Sequence, residues 1–117
     1  KFYQWMDCDG LPENIVSLDE LLDNVMLYWL PNAGASSARI YWESFGSSTL
    51  SSLPVTLPSA ISIFPKEIFK TSERWAKQRF QDLRYFNRLP KGGHFAAFEQ
   101  PELFVQELRA AFDQMRE

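Results

Sequence analysis

The sequence predicts an α/β architecture, with a helical first half followed by a βαβα run. Three features carry this expectation. Leu18, Leu21, Leu22, Val25, Met26 and Trp29 recur at helical spacing. Ala60, Ile61, Ser62, Ile63 and Phe64, held between Pro58 and Pro65, form a short β-rich run, and Leu83 to Leu89 alternate as a second. A helix-bearing stretch separates the two runs, so they pair in parallel.

Taken in order, the first sixteen residues read as an irregular opening. Phe2, Tyr3, Trp5 and Met6 form an apolar cluster ahead of the turn-rich stretch Asp7 to Pro12. Exposed, that cluster would be a sticky patch, so it is expected to pack on a surface, in this chain or another. Ser17 and Glu20 then have the spacing of a capping box. The wide apolar stripe behind them predicts a largely buried helix, stopped at Pro31. A second helix is expected over Ser36 to Glu43, closed before Gly46. The Ser-rich stretch Ser44 to Pro58 reads as a surface connection. Beyond it, Thr71 or Ser72 caps a helix through Arg79, with Trp75 and Ala76 on its inner side. Pro101 opens the last helix, whose inner stripe is Phe104, Leu108, Ala111 and Phe112. This divides the chain into residues 1–53 and 54–117.

Two parallel strands cannot make a stable sheet with both faces covered. Further strands are needed, from another polypeptide or from a larger α/β protein. Lys1 is not an initiator Met, and the natural start is expected upstream.

Composition excludes several function classes. The 117 residues suit one domain, and 45% hydrophobic with 15% aromatic residues argue against disorder. Twelve Lys and Arg against fifteen Asp and Glu give a net charge of −3, without the basic excess of a nucleic-acid binder. One Cys and one His leave no Cys/His zinc site. Cys8 lies between Asp7 and Asp9, which disfavour its thiolate. No apolar run approaches the roughly 20 residues that span a bilayer. The cytoplasm is the expected location, with any membrane attachment left to a segment outside this chain.

The sharpest chemical signal is Lys91-Gly92-Gly93-His94-Phe95. A strand ends, two glycines turn the backbone, and the single histidine follows at the carboxyl end of the sheet, where sites form in open α/β folds. His94 there is placed as a general base. Glu67, in Phe64-Pro65-Lys66-Glu67, follows the other strand and is expected to meet it. Read alone, His94 is equally a surface-loop residue, and Glu67 is more readily a solvated loop acid beside Lys66. Acid before histidine is the chain order of the last two triad members in α/β-hydrolases. A G-x-nucleophile-x-G elbow should precede them, but no two glycines of this chain lie four positions apart.

These residues have a specific likeness. Gly92-Gly93-His94-Phe95-Ala96-Ala97-Phe98-Glu99-Gln100-Pro101-Glu102-Leu103 resembles the terminal His motif of epoxide hydrolases of the α/β-hydrolase fold. Phe64-Pro65-Lys66-Glu67 resembles their acid-bearing loop. Ser17 to Trp29 resembles a cap-domain helix of the microsomal and juvenile-hormone branch, and Ser36 to Glu43 resembles the cap segment that carries a catalytic tyrosine. The likeness covers nearly the whole chain, in order. It implies a partial α/β-hydrolase fold, with residues 1–53 in the helical cap and 54–117 holding the last two strands and their helices.

The resemblance also implies a chemistry. An Asp attacks an epoxide carbon to form an alkyl-enzyme ester. A His paired with an acid then activates water to release a vicinal diol, while tyrosine hydroxyls bond the epoxide oxygen. On that pattern His94 is the base, Glu67 its acidic partner and Tyr41 one oxygen-polarising donor. A phenol suits that role because its pKa near 10 keeps it protonated. The Asp nucleophile and second tyrosine belong to segments absent from this sequence. The expected partners are a small apolar epoxide and the N-terminal portion of the hydrolase, as the same or a complementary chain, with self-association a further possibility at the open sheet edge. No metal or organic cofactor is implied. Trp29, Trp42 and Phe98 are candidates for an apolar pocket, although aromatic residues at helical spacing are more often core. The competing readings are a non-catalytic interaction module, or an esterase or haloalkane dehalogenase sharing the His motif.

Overall fold

The computed structural model describes residues 1–45 and 53–116. In chain order its elements are α1 (Phe2–Trp5), a 3-10 turn (Pro12–Asn14), α2 (Leu18–Trp29), α3 (Gly34–Phe45), β1 (Ser59–Ile63), α4 (Glu73–Arg79), β2 (Leu83–Arg88), α5 (Ala96–Glu99) and α6 (Pro101–Asp113). They form two compact units, one of Lys1–Ile15 with Pro54–Glu117 and one of Val16–Leu53. The 1–53 segment is therefore not one body. Its first fifteen residues group with the C-terminal half, because the backbone around Trp5 and Asp7 bonds to the loop that carries His94.

In the first unit β1 and β2 pair in parallel, with Ala60 opposite Tyr85, Ser62 opposite Asn87 and Ile63 opposite Arg88. Isolated parallel bridges continue the pairing before and after the strands, at Val55–Phe80 and Lys66–Gly93. Ile63, Phe64 and Leu89 are buried around the strand ends, and Met6 and Cys8 are buried in the opening segment. The aromatic opening thus finds its surface within this chain, as Phe2 packs on Phe95 with ring centroids 4.8 Å apart.

The helices of this unit begin where their caps predict. The Ser72 hydroxyl accepts from Trp75 N–H at the start of α4, and Pro101 stands in the first turn of α6. Their inward faces differ from expectation. Ala76 is buried, but Trp75 is 66% exposed. Neighbouring residues point about 100° apart on a helix, so a short helix in contact along one line buries only one of them. On α6, Ala111 is buried and Phe104 half-buried, while Leu108 and Phe112 are exposed. Glu107 takes the inward place instead, 9% exposed, over the polar sheet face formed by Ser62, Tyr85 and Asn87.

The second unit is a helical pair. The capping box forms in full: Glu20 N–H donates to the Ser17 hydroxyl at 3.2 Å, and Ser17 N–H donates to the Glu20 carboxylate at 2.7 Å. After Leu30 the chain turns through Asn32, at φ 53°, and Ala33 N–H reaches back to the Tyr28 carbonyl. The expected burial of α2 is not found: none of its residues is buried. Its periodicity encodes an apolar face, but the described residues do not supply enough apolar surface to cover it. Of the connection predicted over Ser44 to Pro58, Ser44 and Phe45 belong to α3 instead, and residues 46–52 lie outside the described residues. No helix among the described residues is long and apolar enough to cross a membrane.

Candidate active site

Because β1 and β2 are parallel, their carboxyl ends lie side by side, and the loops leaving them are neighbours. Lys66 N–H donates to the Gly92 carbonyl at 3.0 Å, which ties the two loops together. Glu67 folds back through its own N–H to the Phe64 carbonyl. The result brings His94 Nδ1 to 2.8 Å from Glu67 Oε1. An ionised carboxylate only accepts, so Nδ1 carries the proton and Nε2 is left as the basic nitrogen.

Glu67 stays ionised through this contact. Partial burial pushes its carboxyl up, but the bond from His94, the Ile68 N–H and the imidazole charge outweigh burial. Together they hold it below the ordinary value of 4.5. The pair is not sealed from water, with side chains 38% and 27% exposed.

The loop between β2 and α5 is tightly built. Gly92 sits at φ +108°, and a Cβ there would lie 2.7 Å from the Phe64 ring. At Gly93 a Cβ would lie 2.5 Å from the Trp5 carbonyl oxygen. The two glycines therefore admit both the turn and the close passage of the opening segment. His94 N–H donates to that same Trp5 carbonyl at 2.8 Å. The indole of Trp5 stands edge-on to the imidazole at 5.2 Å, and the Phe95 ring does likewise at 5.1 Å.

Trp5, Asp7 and Glu99 are built into the surroundings of His94, Asp7 by accepting from Gly92 N–H and Glu99 from Gly93 and Phe95 N–H, and no spacing in the sequence marks them. Asp7 sits in a turn-rich stretch that gives no sign of its partner. Glu99 precedes Gln100-Pro101 as an unremarked helical acid, yet it is 5% exposed.

Of the other candidates, Phe98 belongs to the first unit and Tyr41, Trp29 and Trp42 to the second. Tyr41 is on α3, its ring stacked 5.8 Å from Phe45. Trp29 and Trp42 belong to the same helical unit and are 77% and 84% exposed. Trp29 flanks an open groove with Val25, Tyr28 and Asn32. Phe98 is half-buried, 6.1 Å from Phe2. Cys8 is free and fully enclosed. Among the described residues no cluster of three His, Cys, Asp or Glu is arranged to hold a metal ion.

Comparison with known proteins shows what the chain is similar to. No protein-family model matches the chain. It is 53% identical over 116 residues to a provisionally named epoxide hydrolase of Stigmatella aurantiaca, across 99% of this chain and 26% of the relative. Against epoxide hydrolase 1 of Sus scrofa it is 39% identical over 105 residues, 86% of this chain and 23% of the relative. The crystal structure of juvenile hormone epoxide hydrolase from the silkworm Bombyx mori matches with a TM-score of 0.83 at 31% identity, over 99% of this chain and 32% of that one. The chain therefore spans about a quarter of the length of the curated relatives it matches. In sequence and in fold alike, the chain matches a portion of the epoxide hydrolases of the α/β-hydrolase fold.

Proposed function

We propose that this chain is the C-terminal part of an epoxide hydrolase and supplies its water-activating pair, His94 with Glu67. The observation that carries the reading is the 2.8 Å contact between His94 Nδ1 and Glu67 Oε1 at the ends of two parallel strands. A complementing N-terminal portion, on the same or a separate polypeptide, supplies the Asp nucleophile. The exposed apolar side chains of α2, including Leu22, Val25 and Trp29, fit a segment that functions inside a larger body.

The reaction runs in two stages. A carboxylate oxygen of the Asp bonds to one epoxide carbon as the ring carbon–oxygen bond breaks. The Tyr41 hydroxyl donates to the oxygen as its charge develops, and the alkoxide takes a proton from solvent water, which is repaid when the Asp carboxylic acid formed by hydrolysis ionises. Next, His94 Nε2 removes a proton from water while the water oxygen bonds to the ester carbonyl carbon. Glu67 stabilises the imidazolium that results. The acyl carbon–oxygen bond then breaks, the leaving oxygen takes the proton from His94, and a vicinal diol departs. The substrate class is a small apolar epoxide, with Trp29, Trp42 and Phe98 as candidate contacts.

The test combines this chain with a complementing portion that carries the Asp. The combination is expected to form diol, and neither part alone to do so. With His94→Gln, diol release should stop while the complementing portion gains the mass of one epoxide, the trapped ester. Undiminished turnover in the His94→Gln combination would overturn the reading.

A further inference from the structure

The loop that carries His94 hangs from two carboxylates that the proposed chemistry does not use. Glu99 Oε2 accepts from Asp7 N–H at 2.8 Å and from Gly93 N–H at 2.9 Å, and its Oε1 accepts from Phe95 N–H at 2.9 Å. Asp7 Oδ2 accepts from Gly92 N–H, also at 2.9 Å. His94 N–H goes to the Trp5 carbonyl. Every backbone amide from Gly92 to Phe95 is thereby held, three of the four by a carboxylate.

Such an arrangement has a cost that argues for its purpose. Burying a carboxylate is unfavourable unless its oxygens are supplied with donors. Glu99 meets that condition with three backbone N–H groups. A loop opening on two successive glycines is otherwise among the most mobile backbones available. A general base tolerates little of that mobility, since a displacement of about 1 Å can cost on the order of a hundredfold in rate. The donors come from both ends of the chain, so the clamp fixes the loop against the opening segment as well as against α5.

We infer that Glu99 and Asp7 are positioning residues for His94, holding its backbone so that the imidazole keeps its bond to Glu67. The inference rests on the reading of His94 as the base. Trp5 completes the arrangement through its carbonyl and as an edge-on wall beside the ring.

The chain has a single histidine, so its ring nitrogens give unambiguous nuclear magnetic resonance signals. The experiment observes this chain, isotope-labelled, in the complemented hydrolase with the complementing portion unlabelled, and compares the wild type with Glu67→Gln, Glu99→Gln and Asp7→Asn, and with Glu102→Gln on the exposed start of α6 as control. The wild type and control are expected to show a hydrogen-bonded Nδ1 proton and slow exchange of the Gly93 and Phe95 amides. Glu99→Gln and Asp7→Asn are expected to lose the ring-proton signal and to speed those amides at least tenfold, with the β1 and β2 amide signals in place. Retention of the ring signal in both clamp variants overturns the inference. So does loss of the strand signals in both, because the carboxylates would then support the fold and not the base. In the complemented hydrolase, Glu99→Gln should slow ester hydrolysis roughly 10- to 100-fold and leave ester formation unchanged. Equal slowing of both steps also overturns it. A complemented wild type without any turnover, but with the ring signal intact and clamp-dependent, removes the proposed function and leaves the clamp standing.

Discussion

Ser62 and Asn87 face each other across the parallel pair, and both donate to one carboxylate, Glu107, at 2.7 and 2.9 Å. The Tyr85 hydroxyl joins them at 3.1 Å. A polar stripe on a sheet is tolerated under a helix only when a partner satisfies it, and here one side chain of α6 serves three donors. Glu107→Ala leaves those donors without it. The expected loss is about 2 kcal/mol or more, read from the urea midpoint. Substitution of the exposed neighbour Gln106 by Ala should have little effect.

The same cluster sets an alkaline limit. Burial pushes the Tyr85 phenol up, and the Glu107 carboxylate pushes it further, above its ordinary 10.0. A raised folded value means that this contribution to stability is complete below pH 10 and fades as pH climbs through the folded value. Tyr85→Phe should flatten the fall in urea midpoint over that window. An unchanged slope would show that Tyr85 does not govern it.

Glu67 gives the opposite slope at the acid end. Its folded value lies below 4.5, so the stability it lends is present above pH 4.5 and is lost as pH falls through the depressed value. Glu67→Gln should make the acid fall of the midpoint shallower while costing stability at neutral pH. Parallel acid limbs for variant and wild type would contradict this.

The glycines separate strain from crowding. Gly10 adopts φ +80° but an added Cβ there meets Tyr3 only at 3.5 Å, whereas at Gly92, φ +108°, it meets the Phe64 ring at 2.7 Å. Gly10→Ala should therefore cost about 1 kcal/mol of backbone strain, and Gly92→Ala distinctly more, toward 3 kcal/mol. Denaturant titration of the two variants checks the order.

Tyr41 distinguishes the reactions that share the His motif. In the complemented hydrolase Tyr41→Phe should slow epoxide opening on the order of a hundredfold, as removal of one donor to a developing oxyanion does elsewhere. Hydrolysis of a simple ester by the same preparation should barely respond. Equal insensitivity toward the epoxide would favour an esterase.

What could be read from the sequence was local or topological. The Ser17–Glu20 box is legible because both partners lie three positions apart, and it forms in both directions. The meeting of His94 and Glu67 was legible because parallel strands end on one side. Neither argument reaches Asp7 and Glu99, whose contact joins residues 92 positions apart. No period or motif encodes a bond of that separation. The inner face of α6 was misread for a related reason. Hydropathy marks an apolar stripe, but the sheet below presents Ser62, Tyr85 and Asn87, and Glu107 is the residue that answers them. Burial of α2 could not be decided from its period, which reports a face and not its cover.

The bridge between Lys66 and Gly93 bears on protein engineering. Acid and base are commonly treated as separable parts to be grafted onto a recipient scaffold. Here their loops share a backbone bond, and the base loop is in turn fastened to the residues around Trp5 and Asp7. A transplant of 92–95 alone would arrive without its register. The smallest portable cassette is three discontinuous pieces, 5–7, 64–67 and 92–99, and a chimera should exchange all of them at once.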